Sequence, residues 1–170
     1  MPGVEVANYF TNRPYGSDPS EVKLIQMFAV DYDYLALYSP EMLCGRGFSE
    51  AYGNERNKVV LNEEAVRLLG YPSPEEALGK QLEMEVLEDP LEVVGVVKNY
   101  HQQSLAEPYK PILFFLKERV PFIATPYISV KMDGSVNSDR LAEVEQMYRT
   151  YFPSALFSYF YLDDYQDSLY

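Results

Sequence analysis

Tryptophan is absent from this 170-residue chain, and cysteine and histidine occur once each. The single thiol, Cys44, cannot form an intrachain disulfide, so the fold does not rest on a disulfide scaffold. The single histidine, His101, would have to carry any Ser-His-Asp or Cys-His catalysis. No nucleophile of the G-x-S-x-G type stands near it. Basic residues are scarce as well: 14 Lys and Arg against 26 Asp and Glu leave a net charge of −12. That field repels nucleic acid and anionic lipid, and no basic stretch offsets it. Long apolar runs are missing too. A membrane helix needs about 20 apolar residues, whereas runs such as 112–116 have the length of a strand. No signal-peptide pattern follows Met1, so the chain as it stands reads as soluble and untargeted. There is no G-x-G-x-x-G or Walker sequence, so nucleotide binding has no support.

What is present suits a globular domain. Hydrophobic residues make up 47% of the chain, and 16 of the residues are Tyr. At this length the chain can bury a core without staples. Tyrosine at such density fits a wet, half-buried surface or an interface.

The chain is organised around residues 91–101, LEVVGVVKNYH. Leu91, Val93, Val94, Val96 and Val97 form a short β-branched run that reads as a buried strand. Gly95 interrupts it, which points to a bulge, a bend or a close approach by another backbone. Gly95→Val is expected to cost about 1–3 kcal/mol through strain and crowding.

Further strands are expected at 4–10, 21–30, 58–61, 81–87, 111–116, 126–132 and 155–162, from period-two alternation or short apolar runs. Residues 31–38 read as a helical turn capped by Asp31 or Asp33. Asn62 is an N-cap for a helix that Gly70 ends, and Ser73-Pro74-Glu75-Glu76 is a capping box for one short turn ending near Gly79. Asn137 or Ser138 caps a helix over 139–151, whose Leu141, Val144, Met147, Tyr148 and Tyr151 share one stripe. The strand, helix, strand succession over 126–162 is a split βαβ unit. The segment LDDYQDSLY at 162–170 reads as the start of another helix.

Residues 44–49, CGRGFS, are expected to make a tight turn, with Gly45 and Gly47 bending the backbone around Arg46. The fork of Arg46 would then tether the loop to carboxylates or carbonyls. Other chemistry-bearing residues have plainer readings. Cys44 reads as a partly buried, unreactive thiol, His101 as a half-exposed loop residue, and the pairs Asp31/Asp33 and Asp163/Asp164 as helix caps. Neither pair has the ligand count or glycine-bearing loop of a calcium site. No metal, cofactor or catalytic residue is assigned.

Taken in order, GRGF at 45–48, VVLNEEAVRLLG at 59–70, GKQL at 79–82, VVGVVKNYH at 93–101 and the strand, helix, strand ending in LDD closely resemble one family. The chain is similar to the MacB-like periplasmic core domain of MacB/FtsX-type ABC transporter permeases. That resemblance implies an α+β fold, with a porter-like part at 1–43 and 121–170 and an inserted β-rich part at 44–120. Gly45, Arg46, Gly47, Phe48, Asn62, Gly79 and Gly95 are its structural motif residues. It further implies a non-catalytic domain on the periplasmic side of the cytoplasmic membrane. The expected partners are a cytoplasmic ABC ATPase, a second permease copy, and a substrate or partner protein outside the membrane, with the isolated domain monomeric. A free-standing extracytoplasmic binding or adaptor protein is the alternative.

Overall fold

The computed structural model describes residues 8–100, 108–120, 127–134 and 136–167. The chain divides into two compact units, Met1–Tyr127 and Ile128–Tyr170.

In the first unit the described strands are β1 (Tyr9–Pro14), β2 (Lys23–Val30), β3 (Met42–Gly45), β4 (Lys58–Asn62), β5 (Gln81–Met84), β6 (Leu91–Val97) and β7 (Ile112–Leu116). They form one sheet in the order β3-β6-β4-β7-β2-β1-β5, and β5 pairs again with β6. Six strands thus close on themselves, which removes most of the exposed edge. The pairs β2–β7 and β4–β6 are parallel, and the other ladders are antiparallel. Strands from both sides of position 44 share this sheet, because β2 pairs with β7.

Alternation of side chains across each strand divides the interior into two cores. Ile25, Met27, Val59, Leu61, Leu82, Leu91, Val93, Leu113 and Phe115 belong to the first. Phe28, Val30, Val60, Val97, Ile112, Phe114 and Leu116 belong to the second. Every residue of β7 is buried, so its ILFFL sequence shows no polar alternation. The helix α1 (Tyr34–Tyr38) adds Leu35 to the second core. The helices α2 (Glu63–Leu68) and α3 (Pro74–Ala77) add Ala65, Val66 and Ala77 to the first.

Both short helices have the expected caps: Asn62 accepts from the Ala65 N–H and Ser73 from the Glu76 N–H. At α1 the expectation needs correction. Asp33 holds the N-cap position in a helical conformation (φ −87°, ψ −14°) and makes no side-chain cap bond. Capping requires an extended N-cap that turns the side chain back onto the first turn.

Strand boundaries differ in several places, and β5 ends at Met84 where a strand to residue 87 was expected. Residues 4–7 of the expected first strand lie outside the described residues, and β1 runs on through the turn formers Asn12 and Pro14. Pairing with β2 and β5 holds it extended, and Pro14 is its last residue. Met42–Gly45 forms a strand where a turn was expected from Cys44, because β6 supplies the pairing partner.

The second unit contains α4 (Ser138–Tyr151), capped by Asn137, and α5 (Leu162–Asp167). The split strand, helix, strand unit is represented among the described residues by its helix: 127–132 and 155–161 have no strand assignment. Alternation specifies which side chains share a face, but a strand exists only where its backbone finds a ladder partner. The stripe of α4 is covered only in part: Leu141, Val144 and Tyr148 are half-buried, while Met147 and Tyr151 are 66% and 74% exposed. No described helix is long and apolar enough to cross a membrane.

Candidate functional site

The two most distinctive motifs of the sequence meet at one place. Along the β4–β6 ladder Val59 faces Val93 and Val60 faces Gly95, so Val94 is an extra residue on β6. This bulge reverses which face each following side chain takes. Leu91 and Val93 enter the first core, and after the bulge the even-numbered Val96 does so, while Val97 turns to the second. The carbonyl of Val94 accepts a hydrogen bond from the Arg46 N–H at 2.9 Å. Gly45 lies opposite Gly95 across β3–β6. A Cβ on Gly95 would stand 2.2 Å from the Arg46 carbonyl oxygen, and one on Gly45 2.3 Å from that of Val94. Gly45 also has φ +70°, so it is glycine for two reasons. Backbone contact at this crossing is possible only because both side chains are missing.

Arg46 then fixes the loop that follows. Its Nη1 and Nη2 donate to the two carboxylate oxygens of Glu55 at 2.9 and 2.6 Å, and Nη1 also donates to the Gly47 carbonyl at 3.0 Å. The Glu55 side chain is 1% exposed and also accepts from the Ser49 N–H. The guanidinium lies 3.9 Å over the Tyr52 ring. Burial pushes the Glu55 carboxyl up, but the Arg46 and Ser49 hydrogen bonds and the charges of Arg46 and Lys58 outweigh it and leave the group below its ordinary 4.5. The hydrogen bonds that Arg46 donates to Glu55 raise the guanidinium in turn, against the opposing effect of burial.

Two outcomes are expected from this pair. Arg46→Lys should lower stability by about 1.5–3 kcal/mol, because an ammonium cannot reproduce two parallel bonds to a buried carboxylate; urea unfolding at pH 7 measures it, and unchanged stability would place Arg46 outside the fold's tethers. Because the folded Glu55 is depressed, its contribution is present above the unfolded value near 4.5 and is lost as pH falls through the folded value. Stability measured from pH 6 to pH 2 should therefore fall less steeply in Glu55→Gln than in the parent chain.

The other motif residues hold backbone as well. Phe48 is buried in the second core, and a Cβ on Gly47 would come within van der Waals reach of Leu35. Gly79 has φ +71° in open space and donates its N–H to the Val93 carbonyl. Asn62 is fully buried; its Oδ1 accepts from Ala65 N at 3.0 Å and Ile112 N at 2.8 Å, and its Nδ2 donates to the Lys110 carbonyl at 2.8 Å. Glu55 and Asn99 were not singled out from the sequence. Glu55 is one of several acidic residues after Arg46, and nothing local marks it. Asn99 accepts from the Glu64 N–H while its own N–H donates to Glu63, which ties the end of the VVGVVKNY segment to α2.

Cys44 is half-buried; burial and the charge of Glu75 raise its thiol, against a hydrogen bond involving the Val96 backbone, so it is protonated at neutral pH. His101 lies outside the described residues. Asp163 and Asp164 occupy the first turn of α5, at the positive end of its dipole. Among the described residues no three His, Cys, Asp or Glu side chains converge as a metal site. A shallow cleft of about 520 Å³ is lined by Pro14, Tyr15, Tyr71, Pro72, Glu76, Gly79, Lys80 and Gln81.

Residues 1–146 match the family described as the MacB-like periplasmic core domain. The chain belongs to that family. Over 123 residues it is 33% identical to an uncharacterized ABC transporter permease, YvrN, of Bacillus subtilis (strain 168), covering 68% of this chain and 29% of that protein. The chain therefore spans less than a third of this relative's length. Its fold is similar to that of the extracellular domain of the noncanonic ABC-type transporter YknZ from Gram-positive bacteria, with a TM-score of 0.61, 13% identity, and 87% of this chain and 73% of that one covered. It is also similar to the periplasmic region of MacB from Actinobacillus actinomycetemcomitans, with a TM-score of 0.56, 18% identity, and 86% and 64% covered. The α+β class expected from the motif order is the class these structures share. Members of this family are the domains that ABC transporter permeases carry outside the cytoplasm.

Proposed function

We propose that this chain is a non-catalytic module of a larger permease in the cytoplasmic membrane, which couples ATP-driven movement of membrane helices to a substrate or partner protein on the outer side. The observation that carries this reading is how the motif residues are used: Gly45, Gly95, Arg46 and Asn62 are spent on joining backbone segments. A domain that passes movement from one end to another needs such internal ties more than it needs a reactive centre. A cytoplasmic ABC ATPase would supply the energy through the full-length permease, and a second permease copy would stand beside it.

The test is topological. In the full-length protein, apolar spans of about 20 residues should flank this segment. Tyr15, 59% exposed, offers a labelling position: Tyr15→Cys should react with a membrane-impermeant thiol reagent applied to cells whose outer layers admit it. Labelling only after the cytoplasmic membrane is opened would overturn the reading. Absence of flanking spans would favour the free-standing adaptor instead. The excised domain should be monomeric at micromolar concentration, because the membrane helices and the ATPase would supply the effective concentration that holds two copies together. A net charge of −12 disfavours close approach of two acidic faces. Light scattering checks this, and a stable dimer would count against it.

A further inference from the structure

We draw no further inference here: the strongest candidate, the exposed apolar stripe of α4 with the aromatic run at 152–161 that follows it, carries none because nothing in the structure shows what covers that face.

Discussion

Gly95→Val is expected to destabilise the domain by about 4 kcal/mol or more, at the extreme of single-residue effects, and to abolish folding if the whole domain has little more than that to lose. The 1–3 kcal/mol expected from the sequence treated Gly95 as a crowded bend in a strand. The structure places a backbone carbonyl where the Cβ would be: the Arg46 oxygen is 2.2 Å away, with the Arg46 carbon and nitrogen at 3.0 and 3.1 Å. No rotamer change relieves a clash with main chain, so β3 or β6 has to move. That movement would break the Arg46 N–H bond to Val94 and disturb the Arg46–Glu55 fork beyond it. Gly79→Ala is the matching control. It carries the conformational penalty of φ +71° with nothing within 4 Å, so its cost should stay near 1–2 kcal/mol. Equal unfolding midpoints for Gly95→Val and the parent chain in a urea titration would show that the two strands separate easily, and the crossing would then not be a tie at all.

Asn62→Ala should cost about 3–5 kcal/mol. Loss of an N-cap accounts for about 1 kcal/mol. The remainder comes chiefly from the buried Ile112 N–H, which loses its Asn62 partner at about 1–3 kcal/mol, and from the lost bond to the Lys110 carbonyl, at about 1 kcal/mol. Asn137→Ala removes the same kind of cap from α4 at an exposed position and should cost only about 1 kcal/mol. The difference between the two variants isolates what Asn62 does beyond capping. If both cost the same in thermal or urea unfolding, the bonds to residues 110 and 112 contribute nothing.

The site was legible in part, and the division follows from how local each signal is. Asn62, Ser73 and Asn137 announce helix starts because a cap acts over three residues, and each is found capping. Gly95 announces an interruption because a glycine in a β-branched run has no packing reason to be there. Glu55 had no such mark: its role depends on a loop that brings a carboxylate back under a guanidinium nine residues earlier. The strand at Met42–Gly45 was hidden for the same kind of reason, since four residues flanked by turn formers become a strand only when β6 offers its edge.

By itself the sequence determined most helix starts and the central strands whose apolar runs are continuous, because these depend on propensity and on contacts within a few residues, and the order of its motifs carried the resemblance that implied the class of fold. Only the tertiary structure decided that GRGF and VVGVV touch, that Val94 is the extra residue that switches β6 between two cores, and that Asn62 binds the start of β7 as well as its own helix. Those outcomes depend on which strand lies beside which. Pairing between residues about 50 apart in the chain is set by the closing of the sheet as a whole and leaves no local pattern to read.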